Sequence, residues 1–183
     1  MKKCRSKNGF TLIELLVVIA VIGLLASVVL VAVNNTRKKA RDAKRLADIA
    51  QIEKALELYY DANNQYPAAG GATQPNGSWS NSADYTTSTT SWVSLQTALA
   101  PYMSKLPVDP SENYNINEWG GGHYHYSYFS GGYGCNQQWY MIVYTLETAA
   151  GPDPGVTACD GSSFKYGGAG TNTATKTVGV KAR

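Results

Sequence analysis

The chain has 183 residues, a formal net charge of +3 and seven prolines, room for one ordinary domain plus a membrane segment. Lys2, Lys3, Arg5 and Lys7 stand in the first nine residues, so side chains from Phe10 onward sum to −1. The basicity belongs to the leader, and the compositional argument for nucleic-acid binding goes with it.

The leader MKKCRSKNG carries no acid and no apolar run. It is followed by FTLIELLVVIAVIGLLASVVLVAV, Phe10 to Val33, which is apolar except for Glu14 and a few small or polar residues. About 24 residues at ~1.5 Å each reach roughly 36 Å, enough to cross a hydrocarbon core of about 30 Å. Cations before the span place the N-terminus in the cytoplasm and the rest outside. Arg37, Lys38, Lys39, Arg41, Lys44 and Arg45 follow the span and pull the other way. A carboxylate in such a helix is costly unless it is solvated near the interface, neutralised or paired. Two readings of Glu14 therefore stand: it lies among the headgroups, or it pairs with a cation inside an apolar bundle.

The combination of a basic leader, Gly9 and then FTLIELLVVIAVIGLLA resembles the class III signal of type IV pilins and of the related pseudopilins of type II secretion. The resemblance is close from Met1 to Val33 and looser to Pro67. It implies cleavage after Gly9 by a prepilin peptidase and N-methylation of the new terminus, Phe10. It also implies that Glu14 is an assembly residue, meeting the Phe10 amine of a neighbouring subunit. Such a buried pair sets register more than it adds stability, because desolvation offsets much of its Coulomb energy. Some family helices carry a proline in the membrane half. This one has Gly23 there and no proline before Pro67.

Asn34, Asn35 and Thr36 are poor helix formers and mark a join. Beyond it Leu46, Ile49, Ala50, Ile52, Leu56, Tyr59 and Tyr60 recur at steps of three and four, an apolar stripe for a head to pack on. Lys44, Asp48 and Glu57 fall largely off that stripe. Asn63, Asn64 and Pro67 end the helix. From Phe10 to Asn63 it would run roughly 81 Å, more than a small domain buries alone, so lipid or other subunits must cover the excess. The wording YDANNQYP likewise resembles the helix end of pilins and major pseudopilins.

A Gly/Ser/Thr/Asn-rich loop is expected from Ala68 to Ser91, with Asn76-Gly77-Ser78 and the hydroxyl run open to glycosylation. Trp92, Leu95, Leu99 and Met103 fit a short amphipathic helix ending before Pro107. The period then changes to two. His123 to Phe129 and Trp139 to Glu147 read as strands joined by a Gly-rich turn, and Ser162 to Tyr166 as a third. LPVDP, Leu106 to Pro110, resembles the entry to the sheet in major pseudopilins, without the longer wording of that family's metal-binding loop.

Cys4 leaves with the leader, which puts Cys135 and Cys159 together outside the cytoplasm. An even pair in an oxidising compartment suggests a disulfide; two free thiols in a reducing niche are the alternative. His123 and His125 share a strand face, but no third ligand has motif spacing, so no metal is expected. Gly120 to Gly122 read as a turn, since no Lys-Ser or Lys-Thr follows to make a phosphate loop. The head's tyrosines either stiffen and cover the sheet or form a sugar-binding face. No nucleophile–base arrangement stands out.

The expectation is an α+β chain with a long N-terminal helical spine packed on a small antiparallel sheet head. Its segments are a cleaved leader (1–9), a transmembrane and filament-core half-helix (10–33), an amphipathic half-helix (34–64) and a head (65–183). The resemblance implies a non-enzymatic, cofactor-free subunit of a type IV pilus-like filament, inserted in the inner membrane as a single-pass precursor. It assembles as a helical homo-oligomer at the cell surface or otherwise outside the cytoplasm. Its implied partners are the membrane, the prepilin peptidase, and an inner-membrane assembly platform with its ATPase. Two alternatives remain: a major pseudopilin driving protein export, and a monomeric membrane-anchored sugar-binding ectodomain.

Overall fold

The computed structural model describes residues 10–70, 79–82, 91–112, 124–148, 151–167 and 174–180. Gly9, Cys4, His123 and the Asn76 sequon lie outside them. The chain divides into one unit ending at Lys38 and a second beginning at Lys39. Helix α1 (Leu12–Asn63) runs without interruption through both, so the weak helix formers Asn34 to Thr36 do not break it.

In the first unit α1 is exposed on every side, including all its large apolar residues from Leu12 to Val33. The helix begins at Leu12, two residues later than the sequence suggests, because Thr11 is its N-cap.

The second unit holds the rest of α1, a short helix α2 (Ser91–Leu99) and two sheets. The larger sheet has the order β1-β2-β3-β6, from Ser80–Asn81 (β1), Ser127–Phe129 (β2), Tyr140–Thr145 (β3) and Thr175–Val180 (β6), all antiparallel. A separate two-stranded ribbon pairs Val156–Thr157 (β4) with Ser163–Phe164 (β5). Every residue of β3 is buried because successive side chains point to opposite faces and both faces are covered. Tyr140, Ile142 and Tyr144 join Ile49, Ile52, Leu56, Trp92 and Leu95 in the core between sheet and helices. Met141 joins Phe129, Trp139, Val156 and Ala158 on the ribbon side. At Gly179 φ is +155° and a Cβ would collide with the carbonyl of Tyr140 on the partner strand, so β6 can pair there only with glycine.

The α+β architecture expected from the sequence is present, with five local corrections. The segment Ser162 to Tyr166 does contain a strand, but it pairs with β4 in the ribbon and not with the main sheet. The main sheet's place beside β3 is taken by β6, a Thr/Val-rich run near the C-terminus that period-two reading could have found. Among the described residues of the strand expected from His123, Ser127–Phe129 are regular, and α2 ends at Leu99, leaving Met103 beyond it. The helix stripe also differs: Leu46 and Ala50 are exposed, while Asp48 is buried. That face is rotated toward Asp42, Arg45 and Asp48 because the head supplies charged and hydroxyl partners for them.

Candidate functional site

The first site is the start of α1. Thr11 accepts a hydrogen bond on Oγ1 from the Glu14 backbone N–H at 3.3 Å. Glu14 Oε2 in turn accepts from the Thr11 backbone N–H and hydroxyl, each at 2.7 Å. This is the reciprocal capping box of a Thr-x-x-Glu sequence, which satisfies donors that the first helical turn leaves orphaned. The carboxylate also lies in the first turn, where the helix dipole favours it. Phe10 precedes the cap and is 90% exposed. Together Phe10, Ile13, Glu14, Val17 and Val18 line a shallow apolar hollow with Glu14 at its edge. Sequence reasoning singled out Phe10 and Glu14 but passed over Thr11, which the Thr-x-x-Glu spacing before an apolar run could have revealed.

A second polar centre, unforeseen from the sequence, lies where α1 meets the head. Arg45 has a fully buried side chain and donates through Nε and Nη2 to the two oxygens of Asp109, at 2.7 and 2.9 Å. Its Nη1 donates to Asp42 and Glu147, both at 2.8 Å, and its guanidinium lies 4.5 Å from the Tyr124 ring centre. Arg41 grips Glu147 with two more bonds. Asp42 also accepts the backbone N–H groups of Glu147 and Thr148 and the Thr148 hydroxyl. Burial raises the Asp42 carboxyl, but the Thr148 hydroxyl, those N–H groups and Arg45 overbalance it and leave it below the usual range. Arg41 holds Glu147 low, against burial and with help from Arg45. Asp48, buried and bonded to the Tyr126 hydroxyl at 3.0 Å, is instead pushed up, chiefly by desolvation. Each group is occupied by intrachain partners, so this centre joins α1 to the head.

Cys135 and Cys159 form a disulfide with Cα atoms 5.8 Å apart. It ties the β2–β3 turn to the ribbon turn, where Asp160 N–H also donates to the Tyr133 carbonyl. Among the described residues no group of three His, Cys, Asp or Glu side chains is placed to hold a metal. His125 is buried in the head.

A long N-terminal apolar helix with a small antiparallel sheet is a pilin-like α+β architecture, and α1 is long and apolar enough to cross a membrane. A family described as the prokaryotic N-terminal methylation motif matches residues 4–30, so the chain carries that motif. The chain is similar to the type II secretion system core protein G of Vibrio cholerae, 42% identical over 67 residues, 37% of this chain and 46% of that protein. The Escherichia coli protein of the same name is 40% identical over 67 residues, with the same shares. The type IV wide pilus major component of Thermus thermophilus is 44% identical over 62 residues, 34% of this chain and 47% of that protein. The chain thus spans under half the length of each of these relatives. No solved structure gives a significant match.

Proposed function

We propose that the chain is the structural subunit of a type IV pilus-like filament, held in the inner membrane as a precursor and polymerised through α1. The observation that carries this reading is the apolar half of α1, exposed throughout and preceded by the Thr11–Glu14 cap within the methylation motif. A prepilin peptidase cuts between Gly9 and Phe10, and Phe10 is methylated. Subunits then bundle their apolar half-helices while the heads, closed by the Cys135–Cys159 bridge, face outward. Glu14 exchanges its cap for the Phe10 amine of a neighbour, and an assembly platform with its ATPase supplies the work. The role is architectural, with no reaction catalysed by the chain.

A second use of the same chemistry is a short secretion pseudopilus, favoured by the similarity to core protein G in two organisms.

The test combines N-terminal mass spectrometry with electron microscopy of sheared cells. The expected result is mature protein starting at methylated Phe10, present in thin filaments. A bulky replacement of Gly9 should leave full-length precursor and no filaments. Wild-type protein that keeps its leader and remains monomeric would favour the anchored ectodomain. Loss of protein export on deletion, without loss of a surface filament, selects the pseudopilus.

A further inference from the structure

Six cations, from Arg37 to Arg45, follow the apolar half of α1. Three of them are engaged within the chain: Arg41 is bonded to Glu147, Arg45 is buried, and Lys44 stands within electrostatic reach of Asp48. Arg37, Lys38 and Lys39 are left, and all three are exposed. Among the described residues none of the three enters an ion pair. No acid stands between Glu14 and Asp42 to offset them.

Their placement fits a surface that surrounds the helix better than a partner lying beside it. They come four to six residues after Val33, roughly 6–9 Å along the axis from the end of the apolar run. That is the depth of the polar headgroup layer next to a hydrocarbon core. Helical side chains lean toward the N-terminus, so the long Arg and Lys chains reach back toward the lipid phosphates while their stems lie along the helix. Successive residues are turned by about 100°, which spreads the three cations over more than half of the circumference. A partner docked along one side would meet one or two of them. A headgroup layer meets all three.

With the leader inside, these cations stand at the outer surface, where the charge rule counts against them. Anionic headgroups supply the missing counter-charge. We propose that Arg37, Lys38 and Lys39 form a collar that binds anionic phospholipid headgroups at the outer surface of the inner membrane. Basic residues beside a membrane span are drawn to anionic lipid in this way. Lys2, Lys3, Arg5 and Lys7 of the leader face the opposite surface, so the span is held at both ends and its depth is fixed. Once the leader is gone, the collar is the electrostatic anchor that extraction into a filament must break. The proposal rests on the membrane-precursor reading and adds a lipid site to it.

Lipid selectivity of the full-length protein provides the test. The protein is reconstituted in phosphatidylcholine vesicles carrying a trace of spin-labelled phosphatidylglycerol or, in parallel, spin-labelled phosphatidylcholine. The immobilised fraction of each label, read by electron paramagnetic resonance, gives the lipid preference at the protein surface. A several-fold preference for phosphatidylglycerol that weakens as salt is added is the expected result. Arg37→Gln with Lys38→Gln and Lys39→Gln should cut that preference at least twofold, leaving the leader's share. Arg37→Lys with Lys38→Arg and Lys39→Arg should keep it. Lys54→Gln with Lys165→Gln, which neutralises exposed cations elsewhere in the second unit, should change nothing. A triple Gln variant with the wild-type preference overturns the collar; if it also loses filaments, its cations serve contacts between subunits. Wild-type protein that alkaline carbonate strips from the vesicles overturns the membrane reading itself, and the collar with it.

Discussion

Arg45 and Asp109 meet in a two-pronged ion pair, 2.7 and 2.9 Å, with both side chains fully buried. They are separated by 64 residues, so the pair fastens the long helix to the loop that leads toward the sheet. Asp42, Glu147 and Arg41 extend it to the end of β3.

Removing one partner of a buried pair strands the other. Arg45→Met should lower stability by about 3–5 kcal/mol, because the buried Asp109 loses both guanidinium bonds and keeps the Ser111 N–H. Arg45→Met with Asp109→Leu should recover much of that loss, since a buried pair is worth little more than an apolar replacement. Urea titrations of the full chain in detergent, followed by tryptophan fluorescence, measure both. A double variant no more stable than the single one contradicts this account.

Stability should pass through a maximum on the acid side of neutral. Burial raises the carboxyls of Asp48 and Glu112, so the folded chain binds their protons more tightly than the unfolded chain. Their effect is a gain as pH falls from neutral through the raised folded values, complete below the unfolded carboxylate values near about 4. Asp42 and Glu147 are lowered, so their contribution is present above about 4 and is lost as pH falls through their folded values. Unfolding midpoints at neutral, mildly acid and strongly acid pH should rise and then drop. Asp48→Asn should reduce the rise and spare the drop.

Thr11→Val should loosen the first turn of α1 without touching the head. An N-cap hydroxyl contributes typically about 1 kcal/mol, near fivefold in local opening. Hydrogen exchange at Ile13 to Leu15 should quicken by that order in Thr11→Val and stay close to wild type in Thr11→Ser. Equal rates in all three proteins would remove the cap from the account.

Reducing the Cys135–Cys159 bridge should destabilise the head by on the order of 3 kcal/mol, given a sequence separation of 24. The ribbon side should respond first, because the bridge joins the β2–β3 turn to β4–β5 and not to the helix core. Limited proteolysis with and without reductant reads this as early cleavage between Gly131 and Phe164.

The apolar half of α1 was legible from local pattern. An unbroken apolar run with a lone acid at its start constrains a helix by composition and spacing, with no distant partner needed. The helix end at Asn63 was legible for the same reason, as Asn64 takes the left-handed conformation (φ 53°) that closes it. The rotation of the amphipathic half was not. Leu46 and Ala50 match the spacing of a core stripe as well as Ile49 does. They face outward because Asp109 and Glu147 neutralise Arg45 and draw its face inward. Those acids come from positions far along the chain, and periodicity carries no information about them. The sheet order is of the same kind. β6 lies beside β3 through pairings such as Ile142 with Val178, contacts whose formation depends on the whole head closing, while the segment read as a third strand is held in its ribbon beside Cys159.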